Sequence, residues 1–229
     1  WMSCGGGGGG GTPTPPAVTI SISPTTSTVE ITSTAQFAAT VRNTTNTAVT
    51  WQVNNVNGGD SASGTITANG LYTAPSTVPS PADVTVKAIA QADTSKTATA
   101  TLTVKLRITV APATATVPAV GTQQFTAAVE GVANTAVTWQ VNGVAGGNAS
   151  LGTISAAGLY TAPLAIPAGG AVTITGIAQA DTTMSDTAGV SITHSAAMLN
   201  GQYAFSYTGF DPDLFYAAGS FMADGNGLI

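Results

Sequence analysis

An all-β chain, built from one small domain repeated in tandem, is the fold class this sequence predicts. Three observations carry it. The stretch Asn46-Thr-Ala-Val-Thr-Trp-Gln-Val-Asn54 and the following Gly64-Thr-Ile-Thr-Ala-Asn-Gly-Leu-Tyr-Thr-Ala-Pro75 return as Asn134–Asn142 and Gly152–Pro163. Trp51 and Trp139, Tyr72 and Tyr160, and Pro75 and Pro163 are thus all 88 positions apart, and self-similarity at a fixed period marks a tandem array. Thr, Ala, Ser, Gly and Val dominate a chain that is only 7% charged, and β-branched Thr and Val favour pleated structure over helix. Short runs alternate apolar with polar residues, the period of a half-buried strand.

Residues 1–16 form a tether. Trp1-Met-Ser-Cys4 leads into the glycine run Gly5–Gly11 and then Thr-Pro-Thr-Pro-Pro16. Glycine runs behave as flexible coil, and the proline-rich part stiffens towards polyproline II. The glycine run is no phosphate-binding loop, because no strand precedes it and no lysine follows it.

Residues 17–104 form the first repeat. Val18–Ile22 alternates and is ended by Pro24. Phe37, Ala39 and Val41 share one face of a second strand over 36–41, and Val49, Trp51 and Val53 share one face of a third. Asn54–Ser63, rich in Asn, Gly and Ser, reads as loop. Two short strands around Thr65-Ile66 and Leu71-Tyr72 are joined by Ala68-Asn69-Gly70, a hairpin turn in which Asn-Gly would supply positive φ. Pro75, Pro79 and Pro81 mark a stiff crossover. Val84–Ala90 and Thr97–Val104 are the last pair, turning at Asp93-Thr-Ser95. About seven strands with frequent turn signals is the pattern of an immunoglobulin-like sandwich. Residues 105–193 repeat it without a gap, at about half of the positions identical. With no linker between the copies, the pair is expected to act as a short rod. Residues 194–229 are the truncated start of a third β-rich domain. There Tyr203, Phe205 and Tyr207 alternate, Asp211-Pro-Asp213 reads as a turn, Ala218–Ala223 as a strand, and Asp224-Gly-Asn-Gly227 as the next turn. The chain reads as a piece of a longer product, starting at Trp1 and breaking off within a strand-like pattern at Ile229.

Composition removes several function classes. Five basic residues and a net charge of −5 leave no footprint for nucleic-acid phosphates or for docking on anionic lipid. A single cysteine, Cys4, precludes an intrachain disulfide, and no apolar run is long enough to span a membrane as a helix.

The residues able to do chemistry have structural explanations. Trp51 and Trp139 sit mid-strand among apolar i±2 neighbours and are expected in the two cores, the functional alternative being a sugar-stacking platform. Tyr72 and Tyr160 are expected to pack at the sheet edge with the hydroxyl reaching backbone. One histidine, His194, and one cysteine cannot make a zinc site, and no nucleophile-elbow motif accompanies that histidine. Glu30 and Glu130, the only glutamates, form no carboxylate pair within a repeat. Asp211, Asp213, Asp224 and Asn226 match no EF-hand spacing and read as turn residues rather than calcium ligands. No enzyme and no cofactor are expected.

Two resemblances add to this reading. The order of Pro24, Gln36-Phe37, Val49-Thr-Trp51, Gly64-Thr-Ile66 and Gly70-Leu-Tyr-Thr-Ala-Pro75 resembles bacterial immunoglobulin-like domains of the Big_2 type, and Val120-Gly-Thr-Gln-Gln-Phe125 in the second copy does so more closely. It covers residues 17–193 and implies spacers, adhesin stalks or modules beside enzymes, with no catalytic residues. Ser3-Cys4 and the glycine tether resemble the end of a bacterial lipoprotein signal peptide, which implies lipidation of Cys4 and a membrane contact made only through that anchor. The expected function is a non-catalytic scaffold or stalk at the cell surface, on the outer membrane or extracellular, for adhesion or matrix attachment through an unidentified glycan or protein ligand. The alternative is an accessory or carbohydrate-binding region of a secreted hydrolase. Self-association into a fibre through exposed strand edges is a third reading. Binding contacts are expected in the loops that differ between copies, Asn55–Ser63 against Gly143–Leu151.

Overall fold

The computed structural model describes residues 15–194 throughout, and the backbone of 200–207 and 217–224. Every regular element among them is a β-strand. The chain divides into two units, Trp1–Lys105 and Leu106–Ile229.

The first unit contains β1 (Thr19–Ser23), β2 (Thr26–Glu30), β3 (Thr34–Gln36), β4 (Ala38–Arg42), β5 (Val49–Val53), β6 (Val56–Asn57), β7 (Gly59–Asp60), β8 (Gly64–Ile66), β9 (Leu71–Thr73), β10 (Asp83–Ala90) and β11 (Thr97–Lys105). One layer is the five-stranded sheet β2-β11-β10-β5-β6. The other is made of β1-β4 and β3-β9-β8-β7, two pieces joined where β3 runs into β4. Between the layers lies the core, with Phe37, Trp51, Val53, Tyr72, Val84, Val86, Leu102 and Val104 all buried. Alternation produces this directly: along β10, Val84, Val86, Ala88 and Ala90 are buried, and the residues between them are exposed or half-buried.

In the second unit every strand recurs 88 residues on. The elements are β12 (Arg107–Ala111), β13 (Thr114–Pro118), β14 (Thr122–Gln124), β15 (Thr126–Glu130), β16 (Val137–Val141), β17 (Val144–Ala145), β18 (Gly147–Asn148), β19 (Gly152–Ile154), β20 (Leu159–Thr161), β21 (Ala171–Ala178) and β22 (Ser185–Thr193). The sheet orders match, β13-β22-β21-β16-β17 opposite β12-β15 and β14-β20-β19-β18. Both units are thus immunoglobulin-like sandwiches. Beyond them, β23 (Asn200–Tyr207) and β24 (Ala217–Asp224) pair antiparallel. The turns at Asp211-Pro-Asp213 and Asp224–Gly227 fall on residues outside those described, save the backbone of Asp224.

Four local expectations change. The run Thr26–Glu30 is a strand: after Pro24 the chain leaves β1, which pairs with β4, and runs parallel to β11 in the other layer. Its exposed Thr26 and Thr28 hide the alternation. The strand over 36–41 is broken at Phe37, so that its first part pairs with β9 and its second with β1. The loop Asn54–Ser63 contains β6 and β7, because Asn54 and Asn55 both take positive φ and close a two-residue hairpin between Val53 and Val56. The turn at Ala68-Asn69-Gly70 needs positive φ at Gly70 and not at Asn69; the second copy makes it with Ala156-Ala157-Gly158.

That turn explains why two separate motifs travel together. A Cβ on Gly70 would collide with the carbonyl oxygen of Phe37, which accepts the Gln36 Nε2–H at 2.8 Å while the same amide donates to Asn69 O at 2.8 Å. Gln124 repeats both bonds, to Phe125 O and Ala157 O at 2.7 Å. Glutamine therefore clips the break in the strand to the turn beside it, and glycine lets the two backbones approach.

Candidate functional site

The duplication acts as an internal control. Positions identical in both copies and buried serve the fold; surface positions that differ on the same backbone are where a function would be found.

Trp51 and Trp139 lie in β5 and β16 and are 5% and 6% exposed. A sugar ring needs an open indole face, and neither tryptophan offers one. Only the rim of Trp51 reaches a shallow depression of about 310 Å³, beside Val49, Asn57 and Ile66. Tyr72 and Tyr160 are fully buried. Their hydroxyls donate to Ser63 O at 2.7 Å and Leu151 O at 2.8 Å, and their rings press on Gly64 and Gly152, where a Cβ would collide with the phenol. Both glycines have positive φ, +87° and +85°, so the site excludes a side chain twice over. Burial pushes both phenols up to about 12, and at Tyr72 the Asp60 carboxylate adds to this.

The loops expected to bind are closely specified by backbone geometry and side-chain bonds. Positive φ recurs at Asn54 and Asn142, Asn55 and Gly143, Gly58 and Gly146, and Gly59 and Gly147. Asp60 Oδ1 accepts the N–H groups of Ala62 and Ser63 at 3.0 and 2.7 Å, as Asn148 Oδ1 does those of Ser150 and Leu151 at 3.0 and 2.9 Å. Asn54 Oδ1 accepts Thr85 N–H at 2.9 Å and Asn142 Oδ1 accepts Thr173 N–H at 2.7 Å. These residues hold hairpins in register; their side chains are already engaged by the fold.

The larger difference lies on the outer sheet face. In the second unit a groove of about 590 Å³ runs across β13, β22 and β21, lined by Thr114, Thr116, Asn142, Thr173, Gly189 and Ser191. It exists because side chains have been removed. Gly189 stands where the first unit has Thr101, and a Cβ there would meet nothing within 4 Å. Ala171 replaces Asp83, whose carboxylate in the first unit accepts a hydrogen bond from Thr103 Oγ1. The groove offers hydroxyls and amides, with no aromatic ring and no ionisable group. Its chemistry is neutral hydrogen bonding.

Of the remaining candidates, Cys4 lies outside the described residues, as do Asp211, Asp213 and Asn226; His194 is exposed after β22. Among the described residues no three of His, Cys, Asp and Glu gather as a metal site, and no helix is long and apolar enough to cross a membrane, which says nothing of a β-barrel.

No protein-family model matches the sequence, and no curated protein matches it. Solved structures that it is similar to include the tandem Ig repeats of Dlar, at 15% identity and TM-score 0.29, over 78% of this chain and 100% of that one. Extracellular cadherin domains 1-4 of Protocadherin Gamma B7 match at 11% and 0.33, over 83% of this chain and 54% of that one. Sidekick-1 immunoglobulin domains 1-4 match at 13% and 0.30, over 77% of this chain and 48% of that one. The chain spans about half the length of the last two. Likeness this remote carries no argument about function.

The buried tyrosines set a pH limit. The unfolded chain releases these phenol protons near pH 10 and the folded chain near 12. Their contribution is therefore unchanged below about pH 10 and is lost as pH rises from there towards 12. Urea midpoints at about pH 9 and about pH 11 should fall clearly in the native protein and distinctly less in a Tyr72→Phe, Tyr160→Phe double variant. A native midpoint equal at both values would contradict the assignment.

Proposed function

We propose that the chain is a non-catalytic extracellular scaffold, a stalk of bacterial immunoglobulin-like domains of the Big_2 type that carries a C-terminal module. The observation that carries it is the junction of two copies of one fold. β11 ends at Lys105 and β12 begins at Arg107, leaving Leu106 alone between them. A single residue between two strands leaves no room for a flexible Gly/Ser-type linker, which supports the spacer reading. The family assignment rests on the residues themselves: the Gln-Phe break, the Gly-Leu-Tyr turn and the buried tryptophan each have a fold-level reason to recur in every copy. Small-angle scattering from residues 17–193 expressed alone should give an elongated particle with a narrow distance distribution; a broad distribution from freely pivoting units would defeat the stalk reading.

Placement at the cell surface rests on Ser3-Cys4 and the glycine tether. A thioether-linked diacylglycerol on Cys4 would hold the protein on a membrane without crossing it. In cells making the full-length protein, Cys4→Ser should move it from the membrane fraction to the soluble fraction. An unchanged distribution would remove the anchor.

One observation favours a second reading, an accessory region that binds glycans. The neutral, hydroxyl-lined groove over Thr114, Thr173 and Gly189 is the right chemistry for an uncharged polysaccharide. A glycan array should then show binding that is lost on Gly189→Thr, the residue type at the same place in the first unit; silence across the array removes this reading. Fibre formation through sheet edges is the least supported. β6, β7, β17 and β18 are two residues long, and Pro118 interrupts the outer edge of β13.

A further inference from the structure

We infer that the end of the second unit from which the chain departs is a docking surface for the segment that follows it, residues 195–229. This does not rest on the stalk reading.

Two pieces of backbone meet at that end. Val120 N–H donates to Pro163 O at 3.4 Å and Ala162 N–H to Gly121 O at 2.9 Å, so the turn after β13 lies against the loop after β20. β22 terminates between them, with Ala119 N–H on Thr193 O at 2.8 Å and Ile192 N–H on Gly170 O at 2.7 Å. Val120 is 52% exposed and Leu164, next to Pro163, is 66% exposed. They are the two most exposed of the large hydrophobic residues described, and a backbone bond joins the turns that carry them.

The first unit shows that the fold does not require them. Its turn has the same geometry, with Thr32 N–H on Pro75 O at 3.1 Å and φ of 60° at Thr32 against 59° at Val120. Its residues, however, are Thr32, Ser33, Ser76 and Thr77, where the second unit has Val120, Gly121, Leu164 and Ala165. Four hydroxyl side chains have become apolar or absent at one end of one copy only. Thr32 and Val120 both hold a β-branched side chain in a left-handed backbone conformation, so the copies share that cost and differ here in polarity. Large apolar side chains exposed on two joined turns, with no role in the fold, are where a partner would be held.

Proximity and chemistry select that partner. Residues 195–199 separate His194 from β23, and five residues reach at most about 18 Å, so the following segment is held beside the patch at high effective concentration. It contains Tyr203, Phe205, Tyr207, Phe210, Phe215, Tyr216 and Phe221, beside three acidic residues, Asp211, Asp213 and Asp224, whereas the described aromatic residues of the two units are buried in their cores. Exposed apolar side chains match those aromatic rings.

Hydrogen exchange on the full chain tests this, using Val120→Thr with Leu164→Ser, the residues that the first unit already carries on the same backbone. Amides of β23 and β24 should exchange about tenfold faster or more in the variant, while those of β21 and β22 keep their rates. Val120→Gly, which suits the left-handed backbone, should also speed exchange in β23 and β24, with β21 and β22 as slow as before or slower; it decides the matter if the double variant loosens the sandwich. Equal rates in native and variant proteins overturn the inference, as do β23 and β24 amides that are unprotected in the native chain. Protection that grows with protein concentration would assign the patch to a second copy and overturn it too.

Discussion

Each unit depends on one tyrosine pressed against one glycine. The hydroxyl of Tyr72 reaches a carbonyl nine residues upstream, which closes the β8–β9 hairpin over the core and satisfies a polar atom that burial would otherwise leave without a partner. The ring fits because Gly64 has no side chain, and Gly64 can be there because its backbone turns left-handed. Around this contact the rest follows: Gly70 lets the next turn slide under Phe37, Gln36 clips that turn to the broken strand, and Trp51 fills the space between the layers. With one cysteine in the chain, no disulfide can hold the two sheets together. The buried core between the layers does that work, while close backbone approaches at Gly59, Gly64 and Gly70, repeated at Gly147, Gly152 and Gly158, shape the turns within one layer.

What could be read from the residues, and what could not, has a physical division. Val49, Trp51 and Val53, or Val84 and Val86, announce their strands because one face is apolar and the other polar. Thr26–Glu30 does not, since only Val29 among its side chains is a sizeable apolar group and the strand is defined by its parallel pairing with β11. The Asn-Gly signal located its turn, with positive φ at Gly70 alone; the further left-handed pairs at Asn54-Asn55 and Asn142-Gly143 sit in a segment whose polarity looks like loop. The loops that differ between copies show a similar division. Loops that vary in sequence are natural candidates, yet here Asp60 and Asn148 vary while accepting the same backbone bonds. Val120 and Leu164 stand far apart in sequence, and only the backbone bond between their turns makes them one surface. A signal for them did exist, in the change from Thr and Ser to Val and Leu between copies.

The two copies have diverged in separate directions. The first keeps a filled outer face and a polar end. The second has lost side chains over β21 and β22, opening a hydroxyl-lined groove, and has gained apolar ones where the chain departs. Neither difference touches the core, so the two copies present different surfaces on the same frame.

The outer faces have a consequence for the setting in which such a chain can work. Thr85 and Thr99 and their counterparts Thr173 and Thr187 hydrate through hydroxyls, and the pair Arg107 and Glu130, 3.9 Å apart at the surface, is of a type that contributes little. Screening acts over about 8 Å at physiological ionic strength; it damps the field of a net charge of −5 and leaves the apolar cores as they are. Most of the outer surface thus meets solvent as neutral hydrogen-bonding groups, which act at contact distance, by shape and hydrogen bonds.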